Sequence, residues 1–163
     1  MTVPHRITVF APATVASLEA VKNDELRDVV VCFSDLPKSE FSADDIEQAE
    51  FDSLCDAAAL SVQRLIDSQE MPLRVVLAGR VSSEAPVLND EGDYVIDRLP
   101  REALSAIYVD ELDASKDVNT LLTLVRQGKQ PSDDQYSKVE TRLLLWHDPA
   151  ELDQLIEAYP HHR

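Results

Sequence analysis

Glycine is scarce in this 163-residue chain, with only Gly79, Gly92 and Gly128. Their scatter leaves no room for a GxGxxG turn or a P-loop to cradle phosphate, which excludes nucleotide binding by those routes. Cysteine is nearly as rare: Cys32 and Cys55 are the only two, lie 23 positions apart, and each falls in an apolar stretch. They read as small buried hydrophobes and not as a redox pair. The absence of HExxH, CxxC and GxSxG removes the zinc-protease, zinc-ribbon and α/β-hydrolase readings. Basic residues are also few, 15 against 31 acids for a net charge of −16, so a polyphosphate backbone or an anionic membrane surface would repel the chain. No apolar run approaches the roughly 20 residues of a membrane span. Met1 to Arg6 lead straight into a short apolar strand, without the charged and apolar regions of a signal peptide. The expectation is a cytoplasmic protein that binds neither nucleic acid nor membrane and needs no cofactor.

What is present is ordinary for a folded protein, 44% hydrophobic and 28% charged residues, with no linker, so residues 1–163 read as one globular domain. Residues 160–163, which include His161 and His162, are expected to fray and to carry no metal role. Short apolar runs at Ile7 to Phe10, Val29 to Phe33, Leu73 to Ala78, Ala106 to Val109 and Leu143 to Trp146 predict strands. Val87-Leu88 and Tyr94 to Ile96 flank a polar loop ending in Gly92-Asp93 and predict a hairpin.

Helices are predicted between these strands. Thr14 precedes one that turns Val15, Leu18 and Val21 inward, and Val118, Leu121, Leu122 and Val125 mark another that Gly128 closes. Asp148-Pro149-Ala150-Glu151 starts a third, with Leu152, Leu155, Ile156 and Tyr159 inward. The longest runs from Ser42 to about Ser68, and its Phe51, Leu54, Cys55, Ala58, Val62 and Leu65 share one face that is expected to pack inward. Gln130 to Ser137 reads as a flexible loop. Strand-then-helix units recur near 6–22, 106–127 and 141–159, so the fold class is α/β, with α+β as the alternative: a single mixed sheet of about five or six strands carrying amphipathic helices.

Ile7-Thr8-Val9-Phe10-Ala11-Pro12-Ala13-Thr14, Ile107-Tyr108-Val109-Asp110 and Leu144-Leu145-Trp146-His147-Asp148 with Glu151-Leu152 resemble a family of uncharacterised actinobacterial proteins that are likewise small single domains. The resemblance implies a bacterial cytosolic protein of unknown function and brings no catalytic residues with it.

Two constellations offer chemistry. Asp45, Asp52 and Asp56 form a stripe roughly 130° around the long helix from its apolar face, either a solvated surface or a docking face for a basic partner. Such a stripe usually means a solvated face; the argument for docking is that between Asp35 and Glu70 there are 10 acids and 2 bases, net −8. The second depends on parallel strands, whose carboxyl ends would collect Thr14, Ser34, Asp35, Arg80, Asp110, Glu111, His147 and Asp148 on one edge. There Asp35, Asp110 and Asp148 could hold Mg²⁺, with His147, Asp110 and Asp35 as the catalytic candidates for metal-assisted hydrolysis or phosphoryl transfer. Arg80 could alternatively hold an anionic small molecule. Helix capping explains Asp148, turn formation explains Asp35, and exposure after a strand explains His147. Trp146, among three leucines, reads as a core or interface anchor. An exposed apolar patch of on the order of several hundred Å² around Trp146 or Tyr159 would make a homodimer or partner interface the better account. The leading reading is a non-enzymatic, acidic protein-binding or self-associating module.

Overall fold

The computed structural model describes residues 5–159, so the 160–163 segment with His161 and His162 lies outside the described residues. In chain order the elements are β1 (Arg6–Ala13), α1 (Val15–Lys22), β2 (Arg27–Val31), α2 (Ala43–Ile66), β3 (Val75–Ser82), β4 (Val87–Leu88), β5 (Tyr94–Arg98), β6 (Leu104–Val109), α3 (Ser115–Arg126), α4 (Asp133–Glu140), β7 (Leu145–His147) and α5 (Leu152–Ala158). Strands and helices interleave as expected, but in an α+β arrangement. In place of one mixed sheet there are two antiparallel sheets, a four-stranded one in the order β1-β3-β6-β7 and a three-stranded one in the order β2-β5-β4. Strands of the second sheet are inserted between β1 and β3 and again between β3 and β6. Each time the chain re-enters the larger sheet at the end where it left, which makes neighbouring strands antiparallel, and hydrophobic periodicity carries no record of that direction. Among the described residues a single bridge joins the sheets, with Phe10 and Cys32 exchanging backbone hydrogen bonds at 2.8 Å.

β1 and β3 are apolar at nearly every position because both faces of the larger sheet are covered there. On one face Val9, Ala11, Val75, Leu77, Ile107 and Val109 meet α1, α5 and the smaller sheet in the main core. On the other, Phe10, Val76, Ala78 and Ala106 meet Ala57 and Ala58 of α2.

Local signals set the helix ends. Gly128, at φ 73°, closes α3: its N–H donates to the Val125 carbonyl, and the next N–H, of Lys129, donates to Leu124. This is a Schellman cap, which needs the left-handed backbone that glycine adopts freely. Asp148 accepts from the Ala150 N–H, and Glu151 reaches back to the Asp148 N–H at 2.7 Å, closing the box ahead of α5. In the β4–β5 loop, Asn89 Oδ1 accepts from both Glu91 and Asp93. The inward residues of α1 and α5 are buried as their spacing predicts, apart from a half-buried Ile156.

Three local expectations are corrected. The loop expected at 130–137 contains the start of α4, capped reciprocally by Ser132 and Gln135. Val139 is its one fully buried residue, so it shows almost no apolar periodicity. Cys55 is exposed and Cys32 half-buried, so neither is a core residue. Desolvation, with Asp56 and Asp93 nearby, pushes the Cys32 thiol up to about 11. Burial, with Asp52 and Asp56 close, also raises Cys55; both stay protonated and weakly nucleophilic at neutral pH.

The third correction concerns the orientation of α2. The helix buries Ser53, Ala57, Ala58, Ser61 and Leu65, whereas Phe51 and Cys55 are exposed and Leu54 and Val62 only partly covered. Small side chains let the helix backbone approach the sheet closely. Ser61 fixes that choice: fully buried, its hydroxyl donates to the Ala13 carbonyl at 2.7 Å and accepts from the Val75 N–H at 3.1 Å, bridging β1 and β3. The large apolar stripe is therefore rotated off the sheet.

Gly79 marks a register shift in the β3–β6 pairing. A Cβ there would lie 2.8 Å from Leu99 Cδ1 and 3.3 Å from the Ala103 carbonyl oxygen. Leu99 is fully buried and has little room to retreat. Gly79→Ala is expected to cost about 1–3 kcal/mol by overpacking, read as a lower urea midpoint with an unchanged slope.

Candidate functional site

The larger sheet is covered unevenly on its α2 face. α2 packs over β1 and β3 and reaches Ala106 of β6, while farther along the same face Tyr108 of β6 and its cross-strand partner Trp146 of β7 lie beyond its cover among the described residues. The result is a groove of about 770 Å³. Its floor is Tyr108, Leu144 and Trp146, one wall is the Phe51, Leu54, Cys55 and Val62 stripe of α2, and the far wall comes from Leu121 of α3 with Tyr136 and Val139 of α4. That volume lies within the range of ligand and peptide sites, and the lining is mainly apolar. Trp146 is 57% exposed, Leu143 72% and Phe51 44%. Large apolar side chains exposed together, rather than singly, are the mark of an interaction surface. Tyr159, the other aromatic considered as an interface anchor, is buried in the main core.

Charge on the groove is one-sided. Arg74 lines it but is spent internally: Nε and Nη2 donate to Asp110 Oδ2 and Oδ1 at 2.9 and 2.8 Å, and Nη2 also donates to the Arg142 carbonyl at 3.0 Å. Arg142 is paired with Asp117 at 3.0 Å. Asp56 and Glu140 line the groove as well and form no ion pair among the described residues. The rim is thus left net acidic.

Of the acidic stripe, Asp45, Asp52 and Asp56 are all exposed on α2. Asp45 is engaged in the helix cap, accepting from the Ser42 N–H at 3.3 Å while its own N–H donates to Ser42 Oγ at 3.1 Å. Asp52 accepts from Gln48 at 3.0 Å. Asp56 is the one of the three on the groove itself.

The strand-end residues do not form one site. With antiparallel strands, Thr14 and Asp110 follow the two strands that end on one edge, with Arg74 between them, whereas Arg80 lies opposite Thr8 toward the other end. Asp110 is wholly buried, and its Oδ2 also accepts the Arg74 backbone N–H at 2.9 Å, so its oxygens are taken by one arginine. Asp35 is exposed and bound to His5 at 2.8 Å. Asp148 is a helix cap. His147 faces Ile107 across the β6–β7 pair, has Nδ1 3.8 Å from Glu151, and keeps Nε2 buried without a partner. Arg80 donates to the Thr8 hydroxyl at 3.2 Å. Among the described residues no three His, Cys, Asp or Glu side chains are grouped so as to hold a metal ion, and no helix is long and apolar enough to cross a membrane.

Sequence reasoning missed the groove because it assigned the large apolar stripe of α2 to the core. The available sign was the parallel small-residue stripe, Ser53, Ala57 and Ser61 at i, i+4 and i+8.

Fold and groove together define an antiparallel α+β structure with an apolar, acid-rimmed furrow on one sheet face. The chain belongs to a family of unknown function, DUF6912, whose pattern matches residues 7–156. No curated protein and no solved structure matches it.

Proposed function

We propose that this protein is a non-enzymatic, cytoplasmic binding module that docks another protein in the groove between α2 and β7. One observation carries the reading: the sheet face around Tyr108 and Trp146 is left open among the described residues, beside a helix that turns its large apolar residues toward the gap. Burying such side chains against a partner contributes about 1.5–3 kcal/mol each, the natural drive for association. The net charge of −16 speaks against nucleic acid and anionic membranes as partners. The alternative of a metal-assisted hydrolase draws no support from Asp35, Asp110 and Asp148, each held by a different partner.

The test is affinity capture from the native lysate with the wild type and with a Phe51→Ser, Trp146→Ser double variant, the retained proteins being identified by mass spectrometry. A protein held stoichiometrically by the wild type and lost from the double variant is the expected result. An identical set on both baits, or nothing retained by either, would overturn the proposal.

A further inference from the structure

Resting on that docking reading, we infer that the groove takes a basic amphipathic helix of another protein, laid over β6 and β7 alongside α2. The width of the gap sets the shape of the occupant. Neighbouring strands are about 4.8 Å apart, so the open stretch at Tyr108 and Trp146, two strands across, is about 10 Å wide, and an α-helix with its side chains is about 10–12 Å across. α2 itself fills the matching space over β1 and β3. A single added helix would therefore complete the layer. Along α2 the groove runs from Phe51 to Gln63, which at 1.5 Å per residue is about 18 Å, or about three helical turns. Apolar anchors at i, i+3, i+4 and i+7 on such a helix would reach Trp146, Tyr108, Leu54 and Val62.

Charge sets the chemistry of the occupant's flanks. Asp56 and Glu140 line the groove from opposite walls, while Arg74 and Arg142 are already paired. Asp52 stands one turn from Asp56 on the exposed shoulder of α2. A helix with lysine or arginine beside its apolar stripe is matched to both walls. A second copy of this chain is not, since it would bring another net charge of −16 against the same acids.

Trp146 is the only tryptophan in the chain and reports on its own groove by fluorescence. Three synthetic peptides of about 14 residues with equal leucine content serve as probes: leucines at helical spacing with lysine elsewhere, the same spacing with glutamate, and leucine alternating with lysine at period two. The helical lysine peptide is expected to shift Trp146 emission to the blue saturably, at least about tenfold more tightly than the glutamate peptide. Salt and the Asp52→Lys, Asp56→Lys double variant are each expected to weaken it. Equal binding of the lysine and glutamate peptides would overturn the basic partner. Preference for the period-two peptide would overturn the helix in favour of strand addition on the β7 edge, and self-association on the groove without peptide binding would make the occupant a second copy. If no peptide binds while native capture still depends on Phe51 and Trp146, the docking reading stands and this inference falls.

Discussion

Asp110→Ala is expected to destabilise the fold by about 3–5 kcal/mol, the range for stripping one partner from a buried ion pair. Whole domains of this size are held by only about 5–15 kcal/mol, so the variant should lose about a third or more of a typical total. The cause is the arginine left behind. Arg74 is 4% exposed and Asp110 fully buried. The carboxylate accepts Nε, Nη2 and the backbone N–H of Arg74 at 2.8–2.9 Å. Without it, a guanidinium remains in the interior with one carbonyl, that of Arg142, as its partner. Removing both charges together, as in Arg74→Met, Asp110→Asn, is expected to recover much of the loss, because no charge is then left buried alone and the amide oxygen still accepts the backbone N–H of residue 74. Urea denaturation of the single and double variants measures this. A single variant within about 1 kcal/mol of wild type would contradict a purely structural role and return Asp110 to the list of chemical candidates.

The groove variant should behave in the opposite way. Phe51 and Trp146 are each about half exposed and lie outside the buried clusters, so replacing both with serine opens no cavity in the core. The cost is confined to lost side-chain pairing, chiefly Trp146 against Tyr108 across β6 and β7, at about 0.2–1 kcal/mol. Binding should fall far more. Aromatic anchors in a desolvated interface centre contribute at least about 2 kcal/mol each, which is about thirtyfold in affinity per residue. The check is a paired one, urea midpoint and partner affinity on the same preparation. Lost stability with unchanged binding would mean that these side chains serve the fold and not a partner.

Much of the architecture is legible in local sequence because its causes are local. Gly128, Asp148-Pro149-Glu151 and the Asn89 loop are each settled within a few residues, and so is the inward face of α1. What escapes is set by distant partners. The face of α2 that meets the sheet is chosen by Ser61 bonding Ala13, 48 residues away, against an apolar stripe that periodicity alone would turn inward. The Arg74–Asp110 pair spans 36 residues and exists only because β3 and β6 align antiparallel. The strand-end cluster failed for the same reason, since strand direction is a property of the whole topology. Of the candidate site, the acidic stripe and Trp146 could be named from sequence, and Asp56 and Trp146 do line the groove. Their shared surface could not be read, because the gap above Tyr108 and Trp146 is an absence of covering chain among the described residues, which no residue pattern records.

The most direct measurement places a photoreactive phenylalanine analogue at Leu143, on the groove, and in a second protein at Val87, on a separate exposed apolar site in the β4 hairpin, and irradiates both in the native cell. A discrete adduct with another protein from position 143, and none from position 87, is the expected result. Adducts from position 87 alone, or no adduct from 143, would contradict the groove as the docking surface.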